Sequence, residues 1–294
     1  MIINKSLDWS SHTHHEEFVY PNEKIKINTL ASIVIGNYNH SDETLALVKR
    51  LTDYQREDIP IEIIVSDTGS NKEQMQLLTD GLGKMEALDV AIRLVIIDKA
   101  ELRKNHANIH AFSFGINAGA RIADGKVLIF CDSSIITPQD FVYEMCLPHV
   151  KGNKVVVRAP LWDIKEENIS FINKKEIRNT PYGSILDRID KKILRHTMGR
   201  PAWSVQRQDF LNLHGMDEQM IYYGVTDDDF VLRMLMTEAK NWMSKSRVIH
   251  IWHPETRNTN NDFNLFLMKK HLHESTWQVN TNIEWGVYDK VIEF

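Results

Sequence analysis

Four apolar runs recur along the first half of the chain: Leu30–Ile35, Ile61–Val65, Ala91–Ile97 and Val127–Phe130. Segments of helical pattern separate them. This alternation restricts the fold more than any other feature, because strands joined by helices at such spacing form right-handed crossovers and a mainly parallel sheet. Three of the runs empty into polar loops, Gly36-Asn37-Tyr38-Asn39, Asp67-Thr68-Gly69-Ser70 and Asp132-Ser133-Ser134. In an open α/β sheet the carboxyl edge is where ligands bind. The three loops are therefore expected to converge on one crevice, and an Asp there can hold a divalent metal and through it a diphosphate. A metal site of that kind commonly offers Asp-x-Asp, and Ser134 leaves only Asp132.

The intervening helices carry their own signals. Ser41-Asp42-Glu43-Thr44 has the pattern of a capped helix start. Residues 71–81 read as a second helix, and 109–123 as a third, whose Gly115, Ala118, Gly119 and Ala120 permit close packing. The second half is less regular. Val155–Ala159 reads as a strand, and an amphipathic helix is expected to bury Ile185, Ile189 and Ile193. That helix exposes Arg188, Lys191, Lys192 and Arg195, as a plain surface helix or as an element facing a membrane or acceptor. Val248–Trp252 reads as a last strand, and the tail beyond 256 as helical, covering the domain or making an oligomer contact.

With 294 residues the chain can form one large domain or two small ones. A net charge of -5 argues against nucleic acid as a partner, which needs a basic field. Cys131 and Cys146 form neither a metal spacing nor a disulfide framework, so a reducing compartment is expected. Residues 1–28 are polar and lack the basic start and apolar core of a signal peptide. No apolar run approaches the roughly 20 residues of a membrane span. These features predict a cytoplasmic protein, with room for peripheral contact at the cytoplasmic membrane face. His12, His14 and His15, beside Glu16 and Glu17, are expected to be a solvated segment rather than a metal site.

Acidic residues cluster at Asp67, Asp132, Asp217-Glu218 and Asp227-Asp228-Asp229. Asp is favoured at a helix start, where it caps free N–H groups and meets the positive end of the dipole. Three in a row before an apolar helix exceed that need, so part of this charge is expected to serve chemistry. A carboxylate at a cleft can deprotonate an acceptor hydroxyl. An Asp with a late His can supply ligands to Mg²⁺ or Mn²⁺. His250 and His253 lie three apart and so on opposite faces of an extended strand, leaving one as a ligand. His253, before Pro254, is the better placed.

Taken in order, these parts resemble the nucleotide-sugar glycosyltransferases of the GT-A fold, especially family 2. Ile35-Gly-Asn-Tyr-Asn39 stands where that family has a Pro-Thr-Tyr-Asn-like turn, and Ser66-Asp67-Thr68-Gly69-Ser70 matches Asp-Asp-Gly-Ser but for one Asp. Ile116-Asn117-Ala118-Gly119 matches Arg-Asn-x-Gly, and Gly125 through Asp132-Ser133-Ser134 matches the Gly-to-Asp-x-Asp segment. Later, His214-Gly215-Met216-Asp217-Glu218 and Tyr223-Gly224-Val225-Thr226-Asp227-Asp228-Asp229 are similar to the carboxyl portion of β-1,4-galactosyltransferase-like enzymes. Gly36, Thr226 and Ser134 depart from the usual Pro, Glu and Asp.

The resemblance implies a GT-A fold over 29–256, with a Rossmann-like nucleotide-sugar half (29–135) and an acceptor half (136–256), after a polar extension (1–28) and before a helical tail (257–294). It implies that Gly36, Tyr38, Asp67, His106, Asn117 and Asp132 line the nucleotide-sugar site. Asp132 and His253 would hold Mn²⁺ or Mg²⁺, more weakly for the loss of an acid at Ser134. Asp227 would be the base of an inverting transfer, and Asp228, Tyr223 and Trp203 would contact a carbohydrate or glycolipid acceptor, as in polysaccharide biosynthesis. Two rivals stand beside it. A nucleotidyltransferase needs a Gly-rich loop with a basic residue to cradle a triphosphate, and Gly36–His40 has neither several Gly nor Lys or Arg. A binding module of the same fold without catalysis would account for Ser134 and Thr226.

Overall fold

A computed structural model describes residues 29–85, 90–99, 109–164, 174–188, 194–197, 201–251 and 262–294. The four apolar runs become β1 (Ala31–Asn37), β2 (Ile61–Asp67), β3 (Ala91–Ile96) and β4 (Val127–Asp132), paired in parallel in the order β4-β1-β2-β3. The segments between them hold α1 (Ser41–Asp53), α2 (Lys72–Gly83) and α3 (Phe112–Ile122). The chain continues through β5 (Ile135–Ile136), α4 (Phe141–Val150), β6 (Val155–Arg158), β7 (Leu161–Ile164), α5 (Lys174–Asn179), α6 (Tyr182–Arg188), β8 (Leu194–Thr197), β9 (Ala202–Gln206) and α7 (Arg207–Asn212). It closes with α8 (Thr226–Met236), β10 (Lys240–Met243), β11 (Val248–Ile251), α9 (Asp262–Glu274) and β12 (Lys290–Glu293). The main sheet runs β10-β6-β9-β4-β1-β2-β3-β12, and a smaller one runs β5-β11-β7-β8. The parallel centre is the expected α/β architecture, and no described helix is long and apolar enough to cross a membrane.

Side chains alternate across a strand, and here that alternation builds two apolar layers. Ile33, Ile35, Val65, Ile129 and Cys131 face the layer of α1, α2 and α4. Val34, Ile64, Leu128 and Phe130 face the opposite layer, with Ile116 of α3 and Phe230 of α8. The small residues of α3 do allow close approach: a Cβ on Gly119 would lie 2.5 Å from Val34 and 2.7 Å from Ser66.

Three expectations are corrected. Ser41 does not cap α1; its hydroxyl donates to the Gln74 carbonyl (2.7 Å), so the tertiary partner on α2 wins over the local one. The helix expected to carry Ile185, Ile189 and Ile193 ends at Arg188, and Leu194–Thr197 is a strand paired with β7. Ile185 alone of the three is described, buried beside Ile177 and Ile249, while 189–193 lie outside the described residues. Among the described residues of the tail, α9 alone is helical; the last residues form β12, antiparallel to β3 at the sheet edge.

At the amino edge a buried charge ties three strands. Glu62 accepts from Ser32, from Arg93 and from the N–H groups of Asp124 (2.7 Å) and Gly125 (3.1 Å). Gly125 is required there, since a Cβ would lie 2.6 Å from the Ser32 nitrogen and 2.8 Å from the Leu30 oxygen. Removing one partner of a buried ion pair leaves the other uncompensated. Glu62→Leu is therefore expected to cost about 3 kcal/mol or more of unfolding free energy, read as a lowered urea midpoint at unchanged slope.

Candidate functional site

The loops at the carboxyl edge are sorted by strand parity. Asn37 and Asp67 continue the rows of Ile33, Ile35 and Val65, and so face the α1 layer. Asp67 is 0% exposed. Its Oδ1 accepts from the N–H groups of Gly69 (2.9 Å) and Ser70 (2.8 Å), and its Oδ2 from Asn37 (2.6 Å) and the Ser70 hydroxyl (2.5 Å). Thr44 of α1 donates to Asn37 Oδ1 (2.8 Å). Asn39, in the left-handed region at φ 56, receives on its side chain the Asn71 N–H (2.9 Å) and donates its own N–H to Ser70 (2.7 Å). The two loops thus form one locked rim. Asp67 is saturated by protein donors, so it supports the rim that carries the exposed Tyr38 rather than offering a free carboxylate.

Gly36 and Asp132 continue the other rows, those of Val34 and of Leu128 and Phe130, and face the α3 and α8 layer. They sit opposite each other in the β1–β4 register. A Cβ on Gly36 would lie 3.3 Å from the Phe112 ring. Phe112 stacks on His110 at 5.7 Å, and His110 meets the edge of Tyr223 at 5.3 Å. An aromatic wall therefore runs from the end of β1 to the loop before α8. Burial pulls the His110 imidazole down to about 4, so it is neutral at physiological pH, and its Nδ1 has no hydrogen-bond partner among the described residues. His110 and Phe112 escape a motif search. The one signal for them is Gly36 itself, since a Gly at the end of an apolar strand marks a close approach.

Asp132 meets Asp227 in this layer. Burial, and then the neighbouring Asp227 charge, push the Asp132 carboxyl well above the usual range. Asp227 reaches it from the first turn of α8, which opens without a side-chain cap. Gly224 at φ 95 and Val225 at φ 56 make the turn that delivers it. A β-branched residue in that region stores strain, of order 1–3 kcal/mol. Asp229, in the same turn, faces inward. Arg233 Nε donates to its Oδ2 (2.7 Å), and His271 of α9 bonds its Oδ1 (2.7 Å). Burial raises Asp229, but Arg233 and His271 outweigh it and hold its carboxyl below the usual range. The three Asp thus divide without any of them capping the helix.

Other expected site residues lie elsewhere. Trp203 is 1% exposed and enclosed by Phe130 (4.2 Å), Phe230 (4.8 Å) and Phe210, so it belongs to the core and offers no wall to an acceptor. Asn117 is also buried: its amide donates to Met216 O (2.9 Å) and Glu218 (3.0 Å), and its oxygen accepts the Met216 N–H (2.8 Å), which ties α3 to the 216–218 turn. His250 pairs with Asp163 across β11 and β7 (2.8 Å). Asp228 lies in the first turn of α8 with Asp227. His106 and His253 lie outside the described residues. Ser133 and Ser134 are buried and line a small cleft with Glu43, Arg50 and Arg178, which has room for about one water (≈ 10 Å³) and none for a nucleotide.

A hard cation fits the chemistry at Asp132. Two neighbouring half-buried carboxylates repel each other, and a divalent ion would relieve that repulsion. Among the described residues no three His, Cys, Asp or Glu side chains are placed to hold a metal ion together. Protein ligands there would thus be few, with other oxygens completing the shell.

Residues 32–210, more than half of the chain, match the family model described as glycosyl transferase family 2. No curated protein matches the chain by sequence. Among solved structures, GalNAc-T7 with UDP, GalNAc and Mn²⁺ aligns at TM-score 0.54 and 17% identity, over 79% of this chain and 45% of that one. The mannosyltransferase PcManGT from Pyrobaculum calidifontis, in complex with GDP-Man and Mn²⁺, aligns at TM-score 0.51 and 13% identity, over 85% and 63%. The chain therefore spans less than two thirds of either relative, and the likeness is one of fold.

The raised Asp132 carboxyl sets a pH dependence. Its folded-state value exceeds the unfolded one, so its contribution favours the fold at low pH and is lost as pH rises through the folded value. Asp132→Asn removes that penalty. In metal-free protein it is expected to raise the melting temperature at pH 8, with the gap to wild type closing as the pH is lowered toward 4. An unchanged or lowered melting temperature at pH 8 contradicts the like-charge neighbours at the end of β4.

Proposed function

The chain belongs to glycosyl transferase family 2 and has the GT-A fold, and from that premise we propose that it moves a sugar from a nucleoside-diphosphate sugar to a hydroxyl of a carbohydrate or glycolipid acceptor. The observation that carries the reading is Asp132 at the carboxyl end of β4, opposite Gly36 in the β1–β4 register, with Asp227 at the start of α8 near enough for its charge to be felt. The two acids come from opposite halves of the chain.

The donor lies along the carboxyl edge, its diphosphate toward Asp132 and its base toward the rim that bears Tyr38. Gly36 lets the Phe112 ring close against the end of β1, and the neutral His110 and Phe112 exclude water from one side. Tyr223, exposed at the mouth, gives a ring for the acceptor sugar to stack on, and Asp228 accepts hydrogen bonds from its hydroxyls. Asp227 takes the proton of the attacking hydroxyl. That oxygen bonds to the anomeric carbon from the face opposite the diphosphate, the bond from carbon to phosphate oxygen breaks, and the nucleoside diphosphate leaves with inversion. Mn²⁺ or Mg²⁺, held through Asp132 and His253, would neutralise charge on the departing diphosphate. The two structures compared above carry Mn²⁺ with UDP or GDP-Man, in keeping with such a donor. The galactosyltransferase-like character of the carboxyl portion, which carries Asp227, is part of the same proposal.

Ser134, where an acid is usual, favours one other reading, a module that binds nucleotide sugars without turnover. Both readings are tested by the same variant. At saturating Mn²⁺, Asp227→Asn is expected to bind UDP-glucose, UDP-GalNAc or GDP-mannose within about twofold of wild type in calorimetry. It should lose turnover, read as nucleoside diphosphate release, by about a hundredfold or more. Turnover within threefold of wild type removes Asp227 as the base. Donor binding by wild type with no turnover on any acceptor establishes the binding module.

A further inference from the structure

We propose that α9 is a clamp whose Asn264 and His271 position Asp227, holding the base-bearing turn from both ends. This inference rests on the reading of Asp227 as base for its consequence in catalysis, but its geometry is independent of that reading.

Asn264 and His271 lie seven residues apart, two turns along one face of α9, with Leu267 and Met268 between them. All four are buried. Asn264 grips the loop before α8: its amide donates to the carbonyls of Tyr222 (2.6 Å) and Gly224 (3.0 Å), and its oxygen accepts the Tyr222 N–H (3.4 Å). His271 grips the helix just after the base, through Asp229 Oδ1 (2.7 Å). Its other nitrogen faces Asp217 Oδ2 at 3.5 Å. Between the two grips, Leu267 and Met268 pack on Met220, with Val225 and Leu232 beside them.

The clamp answers a specific problem. Val225 sits in the left-handed region, an arrangement its own side chain disfavours, two residues before Asp227. Without an external hold, the turn would relax and carry Asp227 away from Asp132. Asn264 fixes the carbonyls on the near side of Val225. Asp229 is fixed on the far side by His271 and by Arg233, which is 0% exposed and also binds the Gly215 carbonyl (2.9 Å). The groups facing His271 are thus Asp229 and Asp217, with Arg233 across the shared carboxylate. Asn264 and His271 touch neither a reacting atom nor Asp132, so they are positioning residues. Both lie beyond the segment matched to the family.

Amide hydrogen exchange tests the clamp directly. In Asn264→Ala and in His271→Ala, exchange across 222–229 should accelerate at least tenfold while β1 and β2 keep their protection. His271→Asn, whose amide can donate to Asp229 in place of Nδ1, should restore protection. Unchanged exchange across 222–229 in Asn264→Ala overturns the proposal, as does acceleration spread evenly through the sheet. With saturating Mn²⁺ and with UDP-glucose, the Ala variants should lose about tenfold in kcat for donor hydrolysis at unchanged KM, with recovery in His271→Asn. Full kcat in both Ala variants, alongside an inactive Asp227→Asn, sinks the clamp and spares the base. An active Asp227→Asn sinks the base and leaves the exchange result to judge the clamp.

Discussion

The period of two along a β-strand governs this molecule. It assigns Val34, Ile64, Leu128 and Phe130 to one layer and Ile33, Ile35, Val65 and Ile129 to the other. It also decides what each strand delivers at its carboxyl end. β1 ends in Gly36, facing the α3 layer, and Asn37, facing the α1 layer. β2 ends with Asp67 turned to α1, and β4 with Asp132 turned to α8. One sheet edge thereby carries two kinds of acid. Asp67 closes the Asn37–Ser70 rim with four hydrogen bonds, while Asp132 is left to meet Asp227. A register slip of one residue in β4 would exchange Asp132 for Cys131 and empty the site.

Desolvation separates the acids further. A buried carboxylate is tolerable when paired and hydrogen-bonded, and costly otherwise. Asp229 meets the first condition through Arg233 and His271, and its carboxyl is held low. Asp217 and Glu218 are pushed up by burial, and the hydrogen bonds each accepts from neighbouring groups oppose that only in part. Asp132 is pushed up by burial and by Asp227 together. The acids of the α8 turn and the β4 end therefore differ in purpose because they differ in partners, although nothing in their chemistry distinguishes them.

Much of this was legible in the chain. The four central strands follow from apolar runs ended by Gly, Asn and Asp, and their helical connections from spacing alone. Asp132 could be named because it ends a strand at the binding edge, whereas Asp227 is set apart from its two neighbours only by the family resemblance. What could not be read needed the third dimension. Asp67 and Asp132 look equivalent in sequence, and only parity together with the partners on α1 shows that one is consumed by its own loop. Trp203 is an aromatic near a motif, and its burial depends on Phe130 and Phe230, which lie far off in sequence, as well as on the nearer Phe210. Ile185 begins a helical stripe that stops at Arg188, because the following chain pairs with β7 instead. His271 and Asn264 gave no signal, since a His and an Asn on a helix are common. Their meaning comes from the turn they hold. β12 is four residues of ordinary composition, recruited by the free edge of β3.

Ser134 is the sharpest departure from the family pattern, and its surroundings give it a physical reason. The Asp132-Ser133-Ser134 turn backs onto a small cleft shared with α1 and α5, where Glu43 is held down near 2: burial opposes its charge, and a bond to His40 and the Arg178 guanidinium overcome that opposition. Glu43 is thus already ionised and already claims Arg178. An acid at 134 would add a carboxylate between Glu43 and Asp132, in a neighbourhood whose two arginines are already engaged, Arg178 by Glu43 and Arg50 by the carbonyls of Arg178 and Thr180. Like charges brought together in a buried site destabilise the fold unless a cation arrives. A hydroxyl at 134 lowers that repulsion and, in the same stroke, removes a hard ligand. Asp227 then matters twice, since it is both the candidate base and the second carboxylate that keeps the β4 end attractive to a cation. A cation at the β4 end would meet Asp132 and Asp227 together, and its hold would depend on the placement of the α8 turn and on the residues that keep that turn in its strained form.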